Sequence, residues 1–349
     1  MEDNLVDDYG HRLNTNDVDK MRVVFAKLYY YLSRPFLDSS FAPEGRSLLK
    51  ESLEEYASMR SSIIKNTLDD SSNHSKLLKL IFEDLSNYFS AQTHSNNQAT
   101  IKVTKSPVIR TWVNLSSDPK ATTLVDSYLQ EVQSTLLENN IQDLSRAKPA
   151  VFRPSNMDFD EVTFEIQGVS GFSSKHRPED INEEDVPNLF RRTSDYWAYL
   201  YYFLAKKLLS LGQAGEAALR RAIREFGSHR GKELRRKVLA SGQETSIKSL
   251  FENYDLPEDP RFEQDLIRQD EEVRVSKETK CNFSEVWSEL DGGWEIGKIY
   301  CEEVHHAFYS AFEPAIQVNI TQTLTRGDDY CDFVLFMRKA NKFKDEKGW

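Results

Sequence analysis

Two long stretches of this chain repeat one another in order, and that constrains its fold more than any other feature. Leu28-Tyr29-Tyr30 returns as Leu200-Tyr201-Tyr202, an offset of 172 residues. Gly45, Ser58 and Arg60 return as Gly215, Ser228 and Arg230 at an offset of 170. At 172 again, Val103 and Lys105 meet Val275 and Lys277, and Tyr128, Glu131 and Val132 meet Tyr300, Glu303 and Val304. Asp160-x-Val162-x-Phe164 then meets Asp332-x-Val334-x-Phe336. One register with small loop gaps implies a tandem duplication. The expectation is an α+β fold of two helix–helix–strand–helix–strand–strand units. Each is a small antiparallel sheet packed with helices, and the two are arranged as a pseudo-dimer. The first repeat spans 1–170, a linker rich in Ser, Asp and Glu spans 171–190, and the second repeat spans 191–349.

The halves differ in chemistry. All three cysteines lie in the second half, and the 172 register places Cys281, Cys301, His305 and Cys331 against Ile109, Leu129, Gln133 and Phe159. Free cysteine also packs as a small hydrophobe, so a shared core and a shared pocket remain open at this point.

At 349 residues the chain can bury a sizeable core. A net charge of −11 and a pI near 5.3 argue against a protein that tracks nucleic-acid phosphates. The start Met1-Glu-Asp-Asn lacks the apolar segment of a secretory signal, and no apolar run is long enough to span a membrane. Three cysteines are an odd count without such a signal, so reduced thiols and a cytoplasmic location are expected.

In the second half, Tyr196–Leu211 reads as a buried helix and Ala217–Leu239 as an amphipathic one, interrupted near Gly227 and Gly231. Glu272–Cys281 alternates like a half-buried strand. A turn at Asp291-Gly292-Gly293 precedes a helix over 294–312, stopped by Pro314. Ile316, Val318 and Ile320 mark a strand, and Cys331, Phe333 and Leu335 share one face of the last one. In the first half, Val151–Ile166 is the terminal strand region.

On the 294–312 helix, Cys301 and His305 lie one turn apart, a spacing at which a thiol and an imidazole can share a proton or a metal ion. One reading makes Cys301 a nucleophile with His305 as its base, Cys281 and Cys331 lining the pocket. The other makes Cys281, Cys301, His305 and Cys331 a Cys3His zinc site, so the cofactor is none or zinc. Arg230 is a candidate partner for a substrate carboxylate. Asp329, beside Asp328 and Gly327, is a candidate for a substrate amine, and Trp287 and Trp294 for the cap of a pocket.

The stretch Cys281…Tyr300-Cys301…Pro314…Thr323-Leu-Thr-Arg-Gly-Asp-Asp-Tyr-Cys331-Asp-Phe333 resembles the L-2-amino-thiazoline-4-carboxylic acid hydrolase-like family. So do Gly215-Glu216 and Arg224-Glu-Phe-Gly-Ser-His-Arg-Gly231. The family pattern tends to place Asp three residues after the helix cysteine, where this chain has Val304 followed by His305. The ending is also similar to 4-vinyl-reductase-type sensor domains, small ligand-binding folds whose cysteines can hold zinc. The hydrolase resemblance implies a small-molecule enzyme of specialised or amino-acid-derived metabolism that cleaves or rearranges a C–N or C–S bond, as a hydrolase or lyase. Two alternatives are a non-catalytic ligand-binding or sensor-like module with structural cysteines or zinc, and a cyclase acting by pocket shape. The expected partner is a small-molecule substrate, with no nucleic acid or membrane, and a homodimer is open.

Overall fold

A computed structural model of the chain describes residues 13–68, 74–94, 98–115, 117–141, 146–149, 161–167, 174–176, 186–257, 259 and 261–338. It is α+β, with two compact units, Met1–Leu219 and Arg220–Trp349. The expected linker 171–190 falls within the first unit. There Ser174–His176 is a strand and helix begins at Val186, while 171–173 and 177–185 lie outside the described residues.

The first unit contains α1 (Thr15–Ser33), α2 (Glu44–Thr67), α3 (His74–Phe82), β1 (Tyr88–Thr93), β2 (Gln98–Thr104) and α4 (Pro107–Asn114). α5 (Pro119–Tyr128) runs through a π turn, Leu129–Ser134, into α6 (Thr135–Asn140). β3 (Arg146–Pro149), β4 (Val162–Gln167), β5 (Ser174–His176) and α7 (Val186–Leu209) follow. A capping box starts α1: the Asn14 side chain accepts from the Asn16 amide, and the Asn14 amide donates to Asp17. The core is aromatic, with Tyr29, Trp112 and Tyr128 packed ring against ring. All its strands pair antiparallel in the order β3-β4-β2-β1-β5. Residues 151–160 of the expected terminal strand lie outside the described residues; β4 is the described part.

α8 (Gly212–Ala240) is continuous, and its residues from Arg220 onward belong to the second unit. α9 (Ile247–Glu252), β6 (Glu263–Gln269), β7 (Val273–Lys280), α10 (Asn282–Ser288), α11 (Gly293–Phe312), β8 (Ile316–Asn319) and β9 (Cys331–Met337) complete it. The sheet order is β6-β7-β9-β8, again antiparallel throughout. Its core joins Leu234 and Val238 of α8 to Phe308, Tyr309 and Phe312 of α11 and to Phe333 and Leu335 of β9. Among the described residues, no helix is long and apolar enough to cross a membrane.

Gly227 and Gly231 do not interrupt α8; they are where it crosses α11. A Cβ on Gly227 would lie 2.8 Å from the Val304 carbonyl oxygen, and one on Gly231 would fall on the Phe308 carbonyl oxygen. The helices touch through backbone, as small residues four apart permit.

The elements from α7 to β9 follow the same order as those from α1 to β4, and reversing the second sheet gives β8-β9-β7-β6 beside β3-β4-β2-β1. The helical matches agree in burial: Tyr29 and Tyr201 are buried, as are Arg60 and Arg230, and Tyr128 and Tyr300. The strand matches do not. Ile101 opposite Phe164 and Val103 opposite Val162 are buried pairs. At offset 172 their counterparts are Val273 opposite Phe336 and Val275 opposite Val334, where Phe336 is 42% exposed and the valines only half-buried. A slip of one residue turns every side chain to the other face, so the 172 register fails in the strands. Counted from helix caps, Cys281 corresponds to Ser106 rather than Ile109.

Gly231→Ala should destabilise the protein by about 1–3 kcal/mol, through overpacking against a backbone carbonyl. Denaturant unfolding checks this, and unchanged stability would contradict the close crossing.

Candidate active site

The site begins with the direction β7 faces. Directly opposed residues of antiparallel strands project to the same side. Arg274 lies opposite Leu335, Ser276 opposite Phe333 and Glu278 opposite Cys331. Leu335, Phe333 and Cys331 face the core, so Arg274 and Ser276 are buried and Glu278 is half-buried with them. β7 therefore turns Arg274, Ser276 and Glu278 inward and Val273 and Val275 to the other face, where they are half-buried. Arg274 is held there by the side chains of Gln264 and Gln269, its guanidinium 3.9 Å from the Phe251 ring centroid.

The three cysteines approach one another from three elements. Cys281 caps α10 just beyond β7, Cys301 sits in α11, and Cys331 opens β9. All are free thiols. Burial pushes Cys281 well above the usual thiol range, and the neighbouring Cys301 and Cys331 add to it. Burial lifts Cys301 to about 12, with Cys331 contributing and the Thr325 side chain opposing. Cys331 rises to about 11, again through burial first; the Leu324 amide, 3.3 Å from its Sγ, opposes this, and Glu278 adds to it. Desolvation thus outweighs every stabilising donor, and the thiols are protonated near neutral pH.

His305 does not reverse this. Its ring stands edge-on to Phe333, centroids 4.9 Å apart, and stacks on Tyr309 at 6.2 Å. Burial, then the charges of Arg230 and His306, lower its pKa to about 3. With burial raising the Cys301 thiol and lowering the His305 imidazole, transfer of a proton from Cys301 to His305 runs uphill. Burial thus favours a neutral thiol beside a neutral imidazole over the expected thiolate–imidazolium pair. Among the described residues, no group of three or more His, Cys, Asp or Glu side chains could hold a metal ion, so a Cys3His zinc site would require rearrangement.

Arg230 already has a carboxylate. Its Nε and Nη2 donate to the two oxygens of Asp255 at 2.8 and 2.7 Å, and its guanidinium lies 4.9 Å from the Phe308 centroid. Burial disfavours its charge, but Asp255 more than compensates. The first unit has the same arrangement: Arg60 of α2 pairs with Asp84 at 2.8 Å, and Asp84 accepts from Tyr128 and Gln133. An arginine–aspartate pair thus occurs in both units, and the guanidinium expected to meet a substrate carboxylate is engaged here by Asp255.

Trp287 is buried, stacks on Phe283 and meets Tyr300 edge-on, and lies against Gly297 where a Cβ would strike its ring. It is core, not cap. Trp294 is 43% exposed at the start of α11, near Gly327. Asp329 is exposed, while its neighbour Asp328 accepts from the Thr323 amide at 2.8 Å, fixing the turn. An open cleft of about 540 Å³ beside α9, lined by Ser246, Lys248, Glu271 and Met337 among others, includes neither a cysteine nor His305.

Sequence reasoning missed Glu278, Tyr254 and Tyr309. Burial raises both tyrosines; Glu278 raises both further, and Arg230 opposes it. The available signal was Arg274, Ser276 and Glu278 recurring every second residue beside an inward-facing β9.

Residues 190–335 match the family model for L-2-amino-thiazoline-4-carboxylic acid hydrolase. No curated protein and no solved structure matches the chain.

In a Cys281→Ala/Cys331→Ala variant, iodoacetamide should alkylate Cys301 at a rate rising about tenfold per pH unit from pH 7 to 10, since only the thiolate reacts. A plateau near pH 8.5 would mean that burial does not raise this thiol.

Proposed function

We propose that the second unit is a small-molecule hydrolase acting on a C–N or C–S bond, with the inward row of β7 facing α11 as its working interior. The family match over 190–335 supports hydrolytic chemistry. The observation that carries the assignment is Glu278, a half-buried carboxylate directly opposite the Cys331 thiol and on the same face of the sheet.

In this reading Glu278 is the base. It takes a proton from water as the oxygen bonds to the electrophilic carbon, then returns it to the departing nitrogen or sulfur. The protonated thiols of Cys281, Cys301 and Cys331 lie in this interior and donate weak hydrogen bonds, and neutral His305 presents a donor and an acceptor to the substrate. Cys301 is thus a pocket residue rather than the nucleophile. We infer too that the halves arose by duplication. The shared strand order and the two arginine–aspartate pairs support this, with slips in the strands separating the copies. The scaffold was kept in both, and the reactive groups accumulated in one.

A ligand-binding module without turnover draws on the same protonated thiols, which are poor nucleophiles. Assay of L-2-amino-thiazoline-4-carboxylate and related cyclic amidines separates the two. Turnover is expected; Glu278→Gln should lower kcat about 100-fold or more with the melting temperature unchanged, and Cys301→Ser should stay within about tenfold. Full activity in Glu278→Gln would remove the base assignment. Binding without turnover by the native protein would favour the non-catalytic module.

A further inference from the structure

Among the described residues, β6 is an edge strand of the second sheet and carries its most exposed apolar residues, Leu266 at 44% and Ile267 at 59%. In the first sheet the edge in the corresponding place, that of β1, is covered by β5. An edge strand presents unpaired backbone donors and acceptors to any strand that fits it.

The side chains of β6 select the partner. Its pairing with β7 skips Ile267: Leu266 lies opposite Ser276 and Arg268 opposite Val275. Because of that bulge, Asp265 (opposite Lys277) and Arg268 fall on the same outward face although they are three residues apart. Two such strands laid antiparallel about a twofold axis between Leu266 and Ile267 complement each other. Asp265 meets Arg268 twice, Leu266 meets Ile267 twice, and Gln264 meets Gln269 twice. Glu263 would fall opposite Asp270, but Glu263 is already paired with Lys280. Arg268 now holds Asp270 in an exposed ion pair, which is weak and readily exchanged.

We propose that β6 is a dimerisation edge, pairing antiparallel with β6 of a second copy of this chain to join two four-stranded sheets into one. The interface is isologous, so each contact occurs twice and the assembly closes at two. Opposite charges facing across paired strands fix its register.

Sedimentation equilibrium over a concentration series tests this with three variants. The native chain should be dimeric. Arg268→Asp, which sets acidic side chains opposite each other twice, and Ile267→Lys should each weaken dimerisation at least tenfold while leaving the circular dichroism spectrum unchanged. Asp265→Arg/Arg268→Asp exchanges both charges and should restore the dimer. A monomeric native chain overturns the proposal. So does a dimer indifferent to both single variants, which would have to use another surface, or a double variant that stays monomeric.

Discussion

The second unit depends on the crossing of α8 over α11 at Gly227 and Gly231. Because neither glycine carries a side chain, the α11 backbone at Val304 and Phe308 meets α8 directly. That contact places Arg230 against Phe226 and Phe308 and within reach of Asp255. It also fixes the rotation of α11, so that His305 meets Phe333 and Cys301 meets Thr325. Everything proposed for the site follows from α11 held in that orientation over a sheet in which β7, one of its two central strands, turns polar residues inward.

Comparison of the units separates scaffold from chemistry. Both hold a buried arginine from a long helix against an aspartate, and both place a tyrosine of a later helix close by. In the first unit the surroundings close the network: Tyr128 and Gln133 both donate to Asp84, and the strand facing inward offers Ala99, Ile101 and Val103. In the second, His305 stands in the helical position of Gln133, and the inward row is Arg274, Ser276 and Glu278. Burying such a row costs free energy unless its members are paired. Arg274 is paired with Gln264 and Gln269, and Glu278, opposite Cys331, accepts from the Ser276 hydroxyl at 3.4 Å.

Helices and their order were legible in the sequence because apolar periodicity and turn residues mark them; α11 was expected over 294–312 and spans Gly293–Phe312. The inward face of β9 was legible too, since Cys331, Phe333 and Leu335 alternate with less buried residues. The facing of β7 was not. Alternation shows that a strand has two sides, but not which of them will meet the core. The glycines of α8 looked like breaks because a sequence does not show which backbone will approach them. Arg230 and Trp287 looked available because neither Asp255 nor Gly297 is near them in the chain. The convergence of the cysteines was anticipated, but their protonation state depends on burial, which only the packing reveals.

The α11 face over β7 strips hydration from its thiols and its imidazole and holds them neutral, while Arg230 keeps its charge beside Asp255. The most direct measurement is the titration of the His305 imidazole by NMR, its resonance assigned by loss in a His305→Gln variant. Burial and the charge of Arg230 predict a midpoint near 3, the ring staying neutral through mildly acidic pH. A midpoint near the ordinary histidine value would mean that water reaches the ring, and the enclosed polar interior on which the account rests would not exist.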